Sequence, residues 1–299
     1  MRAGERMMYE VIKAGERSFY IECPAKIGLV ETGENEVVLI DSGSDKDAGK
    51  RVLRILTERG LKLRAVFNTH SHADHIGGNK YLQDQTGCDI YARGLERDFT
   101  NHTILEPMYL YGGYPIKDLK HKFLLAQESR AKELDEEILP GGLTAIPLPG
   151  HSFDKVGFRT ADDVVYLADC LSSKATIEKY GIGFLVDAEM YIETLKKVSD
   201  MQAKLFIPSH AEASEDVREI CEYNINAVMT AGERILDILR EPKAFENVLS
   251  AVFKAYNMKM TVQQYALIGS TVRSYLTWLM NRGEIEYFIE DESLMWRRK

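Results

Sequence analysis

The chain has 299 residues, a formal net charge of −8, 45% apolar and 28% charged residues, the make-up of an ordinary globular protein with room for one large domain and one small. No apolar run is long enough to cross a membrane, and the first thirty residues carry Arg2, Glu5, Arg6, Glu10, Lys13, Glu16 and Arg17 with no apolar stretch of signal-peptide length, so the expected compartment is the cytoplasm. The four cysteines, Cys23, Cys88, Cys170 and Cys221, form no Cys-x-x-Cys pair, which argues against a disulfide framework and against a structural zinc knuckle.

Apolar periodicity predicts strands near 7–12, 18–22, 27–32 and 36–41, then a helix near 46–59 with Val52, Leu53, Ile55 and Leu56 turned inward. A strand over 63–68 runs into the decapeptide THSHADHIGG at 69–78. A helix from about 75 to 85, a strand at 88–92 and a helix at 93–101 follow. Residues 102–140 are the least regular stretch, with Tyr, Gly and Pro crowded around Met108–Pro115. Long loops in compact domains serve as lids or binding loops, so this one is expected to supply part of a substrate wall, although Tyr109, Tyr111 and Tyr114 read equally well as packing or dimer contacts.

Strands at 143–148, 155–160 and 163–168 precede a segment over 170–183 that is too polar and glycine-rich for a core. Within it Cys170 reads as a small buried apolar residue. A helix over 188–201, a strand over 204–208 and a long helix over 214–240 complete a first domain, 1–240. Past Glu241-Pro242 the pattern changes to short helices at 245–256 and 261–268, an amphipathic helix at 269–282 and a hairpin from 284–289 and 293–298. That is the order of a winged-helix module, placed at 241–299.

Apolar runs of strand type end in a polar residue five times, before Asp41, before Asn68–His75, before His151, before Asp169 and before His210. Functional groups collect where strands end, because loops there vary on a rigid scaffold. Three of the seven histidines fall within six residues, His70, His72 and His75. Together with Asp74, His151, Asp169 and His210 they make a set of imidazoles and carboxylates suited to two transition-metal ions.

The unbroken His70-x-His72-x-Asp74-His75 run, followed in order by His151, Asp169 and His210, resembles the metallo-β-lactamase superfamily. The resemblance covers about residues 8–238 and implies a four-layer αβ/βα sandwich in the α/β class. It also implies a ligand set: His70, His72 and His151 for one ion, Asp74, His75 and His210 for the other, and Asp169 between them. Asp41 in the segment IDSG resembles the family's aspartate that hydrogen-bonds beneath the ligand loop; read from its own neighbours it is equally a strand-to-turn Asp. Gly77 and Gly78 would allow close backbone approach. Tyr180 would donate to a substrate oxygen, as a tyrosine does in lactonase relatives. His102 and His121 lie outside the pattern.

Two divalent ions about 3.5–4 Å apart activate a shared water and polarise the scissile group. The expected cofactors are therefore two divalent metal ions, zinc first, with manganese or iron compatible, and Asp74 is the expected catalytic carboxylate. The resemblance points to a hydrolase that uses a bridging hydroxide on a small ester, thioester or lactone, in the manner of the glyoxalase-II-like branch. An endoribonuclease or other phosphodiesterase is the alternative, and an iron-dependent sulfur dioxygenase the second. An open basic channel would favour the nuclease, an enclosed apolar pocket the carbonyl hydrolase. Residues 240–299 carry nine Lys or Arg against seven Asp or Glu, far from a phosphate-binding stripe. The C-terminal module is accordingly expected to pack or to form a homodimer, with a small-molecule substrate and no membrane partner.

Overall fold

The computed structural model describes residues 8–299. Two mixed β-sheets lie face to face with helices on both outer faces, the four-layer αβ/βα sandwich that the resemblance implies. The first sheet takes, side by side, β1 (Val11–Lys13), β2 (Ser18–Ile21), β3 (Ile27–Gly33), β4 (Glu36–Ile40), β5 (Lys62–Phe67), β6 (Asp89–Ala92) and β7 (Ala131–Glu133). The predicted first strand begins on residue 7, which lies outside the described residues. Strands β1 to β4 form an antiparallel meander, while β4 to β7 run parallel. Parallel pairs need crossovers, supplied by α1 (Lys46–Glu58), α2 (Ala73–Ile76), α3 (Asn79–Thr86), α4 (Gly94–Asn101) and α5 (Leu105–Tyr111). Asp45 caps α1 by accepting from the backbone N–H of Asp47 and Ala48 at 3.0 Å each.

The second sheet has the order β11 (Leu205–His210), β10 (Val164–Ser172), β9 (Val156–Arg159), β8 (Thr144–Pro147). Its parallel pair β10/β11 is bridged by α6 (Lys174–Tyr180) and α7 (Ala188–Ser199), and α8 (Arg218–Ile238) follows. Val38, Ile40 and Phe67 meet Val156, Phe158 and Tyr166 between the sheets. Val52, Leu56 and Leu82 cover the outer face of the first sheet.

After α8 come β12 (Lys243–Ala244), α9 (Phe245–Ala255), α10 (Val262–Asn281), β13 (Ile285–Glu290) and β14 (Ser293–Arg298), with a small sheet in the order β12-β14-β13. Val228, Ile235 and Leu239 are buried in the same apolar cluster as Val248, Leu249, Tyr275 and Leu279, so that core runs without a break across residue 241.

Four departures from the sequence pattern have local causes. The helix expected over 75–85 is two helices, because the chain turns at Gly77 and Gly78 to lie on the loop before α1. A Cβ on Gly77 would sit 2.3 Å from the Ser44 backbone, and one on Gly78 2.3 Å from the Ser42 carbonyl oxygen. The helices expected at 261–268 and 269–282 are one, α10. Gly269 costs about 1 kcal/mol there relative to alanine, and burial of Ile268, Val272 and Tyr275 on either side of it outweighs that loss.

Strand β10 also outlasts its expected end at 168. Ala168 adopts a left-handed φ of 51° and the pairing with β11 shifts register around it. Asp169 therefore sits on a bulged strand rather than in a loop after it, and Cys170 and Leu171 are buried core. Finally, the stretch over 102–140 contains α5 and β7, with single 3-10 turns at Lys117–Leu119 and Glu136–Ile138.

Candidate metal centre

The end of β5 delivers the histidine-rich loop, and a single buried carboxylate organises it. Asp41 follows β4 with a left-handed φ of 65° and is 2% exposed. Its Oδ1 accepts the Thr69 backbone N–H at 2.8 Å; its Oδ2 accepts the Thr69 hydroxyl at 2.8 Å and faces His75 Nδ1 at 2.7 Å. Thr69 Oγ1 in turn lies 2.9 Å from His70 Nδ1. With the threonine proton given to Asp41, both histidines satisfy this network by carrying hydrogen on Nδ1. The Nε2 atoms of His70 and His75 are then left for the centre. Strained backbone of this kind costs about 1–3 kcal/mol and persists where the surroundings over-determine it.

The second sheet brings the remaining donors. His151 follows β8 across Gly150, whose φ is 113° and where a Cβ would sit 2.3 Å from the Tyr191 amide nitrogen, leaving no room for a side chain. Asp169 is turned inward by the bulge, and His210 ends β11. His72 Nδ1 lies 3.0 Å from His70 Nε2 and 3.2 Å from His151 Nε2. Asp169 Oδ2 lies 3.5 Å from His151 Nε2 and 3.2 Å from His210 Nε2, and Asp74 Oδ2 is also 3.2 Å from His210 Nε2. His75 Nε2 is 2.9 Å from Asp169 Oδ1. Two groups result, His70, His72, His151 and Asp169, and Asp74, His75, Asp169 and His210, each with all its donor atoms within 4.8 Å. Asp169 is common to both. His102 and His121 belong to neither.

The residues fit a pair of cations. Three ring nitrogens converge in the first group with at most one hydrogen able to lie along each contact. In the second, His75 Nε2 and Asp169 Oδ1 face each other, buried and without a hydrogen bond, although buried polar atoms are otherwise almost always paired. Burial pushes His70 well below the usual histidine range and His151 down to about 3, so both are neutral and able to ligate. Asp169, first among several causes, lifts His210 to about 10. Burial opposes a charge on His75, yet Asp169, Asp74 and Asp41 together raise it well above its ordinary value. Burial likewise opposes ionisation of Asp74, but His75 and His210 hold its carboxyl down at about 2. Asp74 stands at the mouth, its side chain 41% exposed.

Three residues at the centre carry no signal in the sequence. Glu106 on α5 is buried, with its carboxyl raised by burial, and points at His72 Nε2 from 3.7 Å, the nitrogen turned away from the cluster. Phe184 sets its ring edge against His72 and His151, with centroids 5.3 and 5.8 Å away. Glu96 on α4 is fully buried and accepts from the Ser71 amide and hydroxyl and from the Asp154 amide, tying the loop of His72 to the loop of His151. The expected wall over 102–140 thus reaches the centre through α5, with Tyr109 packed on Phe153 and Tyr114 exposed. Tyr180 ends α6, 49% exposed, on the rim of a cavity that also touches His151.

The sequence profile of the metallo-beta-lactamase superfamily matches residues 20–210. The chain belongs to this superfamily. A stretch of 70 residues is 54% identical to a hydroxyacylglutathione hydrolase of Crocosphaera subtropica, covering 23% of this chain and 25% of that protein. Exodeoxyribonuclease WalJ of Streptococcus pneumoniae is 27% identical over 198 residues, covering 64% of this chain and 65% of its own. The match therefore spans a quarter of the first relative's length and just under two thirds of the second's. Among solved structures, a beta-lactamase domain protein from Burkholderia ambifaria aligns with 100% of this chain and 96% of its own at a TM-score of 0.72 and 16% identity, a likeness of fold.

Proposed function

We propose that the chain is a two-metal hydrolase, with zinc as the first candidate and manganese or iron as alternatives, that cleaves a small ester, thioester or lactone. The observation that carries this reading is the pair of four-donor groups sharing Asp169. When bound, two such ions bring the pKa of a shared water toward neutrality and polarise the scissile carbonyl. The chain's own residues do the rest. Asp41 and Thr69 fix the tautomers of His70 and His75, Glu106 orients His72, and Asp74, ionised at the mouth, holds and receives the proton of the incoming water. The relative named for hydrolysis of hydroxyacylglutathione supports a carbonyl substrate. The likeness to an exodeoxyribonuclease supports a phosphodiester as the second reading, against which stand the near-balanced charges beyond residue 240.

Unpaired thiols at all four cysteines support a reducing compartment such as the cytoplasm. The C-terminal segment is proposed as a winged-helix-like packing element, and the exposed Tyr287, Ile289 and Leu294 of its hairpin support a homodimer contact. The test is metal content together with turnover of a lactone, a thioester, a phosphodiester and single-stranded nucleic acid. Near two ions per chain with carbonyl turnover, lost in a folded Asp74→Ala variant, is the expected result. Nucleic-acid cleavage alone would move the assignment to the second reading, and full activity in Asp74→Ala would refute the mechanism.

A further inference from the structure

We propose that the cavity between α6, α8 and α10 seats the acyl group of the substrate, so that residues beyond 241 help decide which acyl chains are cleaved. This inference rests on the carbonyl-hydrolase reading above. The cavity has a volume of about 310 Å³ and His151 forms part of its wall. It therefore begins at the first four-donor group rather than at a separate surface.

Apart from His151, Ser172 and Tyr191, its walls lie on three sides. Ile177 of α6 and Ile182, Phe184 and Leu185 of the following loop form one side. Ala227 and Val228 of α8 form another, and Leu267 and Ile268 of α10, with Met258 before it, close the third. Gly181 fastens these parts together, since a Cβ there would sit 2.1 Å from the ring of Tyr256 in the C-terminal segment.

Among the described residues no Lys, Arg, Asp or Glu lines this space. Three of its polar side chains are already engaged. Asn224 exchanges hydrogen bonds with the Ser172 backbone at 3.0 Å each and donates to the Ile220 carbonyl at 2.8 Å; Tyr191 donates to the Cys170 carbonyl at 2.9 Å; Thr176 shares its hydroxyl with Ser173 at 2.9 Å. A phosphate or a free carboxylate placed here would lose its water and find no cation, which is prohibitive. An apolar chain loses nothing. Protein interiors seldom leave voids larger than a water molecule, so a space of this size and lining fits a ligand group better than a packing defect. At roughly 30 Å³ for each water-sized unit it accommodates about ten heavy atoms. The reaction implied is hydrolysis of the bond between the acyl carbon and its oxygen or sulfur, water supplying hydroxyl to the acyl carbon and a proton to the leaving group.

The experiment uses the full-length, metal-loaded protein and acyl thioesters from acetyl to dodecanoyl, with calorimetric titration of octanoate and acetate as a readout independent of turnover. For the native protein kcat/KM is expected to rise about fourfold per added methylene, then to fall once the chain exceeds the cavity, and octanoate is expected to bind far more tightly than acetate. Ala227→Phe fills the cavity and should cut the octanoyl-to-acetyl ratio of kcat/KM by at least tenfold. Leu267→Ala enlarges it and should move the optimum to longer chains. Octanoate affinity should follow the same order in both variants. A chain-length profile and octanoate affinity unmoved in both folded, metal-loaded variants would overturn the cavity assignment and leave the hydrolase standing. Octanoate binding that Ala227→Phe removes, in a protein that turns over no acyl substrate, would support the cavity and refute the hydrolase reading.

Discussion

Replacing Asp41 by Asn tests the organisation of the centre with little steric change. Asparagine is nearly isosteric and tolerates the left-handed φ of 65° found at this position. It cannot, however, receive the three donors that converge there, the Thr69 amide and hydroxyl at 2.8 Å each and His75 Nδ1 at 2.7 Å. One oxygen keeps its role while the amide nitrogen now presents hydrogen where hydrogen was accepted. With the nitrogen toward His75, the imidazole must accept on Nδ1, so its remaining hydrogen moves to Nε2, the atom that faces Asp169. Outer groups of this kind are worth about ten- to hundred-fold in metal affinity, or about 1.4–2.8 kcal/mol at 1.4 per decade. A buried donor left unmatched costs a further 1–3 kcal/mol or so of stability. Metal affinity read by chelator competition should fall by that factor, Tm should drop, and near-UV circular dichroism should stay native. Undiminished affinity in a folded Asp41→Asn protein would refute the tautomer argument.

Gly78→Ala should lower Tm, because its Cβ would meet the Ser42 oxygen at 2.3 Å and overpacking costs about 1–3 kcal/mol; an unchanged melting curve would show that the contact yields freely. Ion binding should release protons at pH 7, since His210, lifted to about 10 by Asp169, and His75, also raised, must each free a nitrogen. Calorimetry in buffers of different ionisation enthalpy counts those protons, and a count of zero would refute it. The same raised His210 stabilises the ion-free fold below its unfolded pKa of about 6.5. That contribution is lost as pH climbs through about 10, so the chelated protein should melt progressively lower over that window.

The sequence makes legible what depends on order along the chain. Strand ends before Asp41, His70, His151 and His210 follow from local periodicity and turn chemistry, and seven donors in a fixed order leave few ways to be assembled. What depends on tertiary encounter stays hidden. Glu106 lies in a stretch that reads as irregular, and only the packing of α5 on α10 brings it beside His72. The bulge at Ala168 has no propensity signal, because register against β11 creates it. Gly269 reads as a break, yet burial on both sides carries α10 through it. Gly77 and Gly78 do read as sites of close backbone approach, but the partner they approach, the loop of Ser42 and Ser44, is set by the fold.

The apolar cluster that crosses residue 241 has a consequence for synthesis. A nascent chain that has delivered all seven donors but nothing past α8 still leaves Ile235 and Leu239 without the residues of α9 and α10 that bury them. At about 5–20 residues per second the stretch over 239–299 takes roughly 3–12 s to emerge, and for that interval an uncovered helix face is open to aggregation or chaperone capture. The centre can thus be complete in donors well before it is housed in a stable protein, and it is the segment beyond α8 that makes the fold permanent.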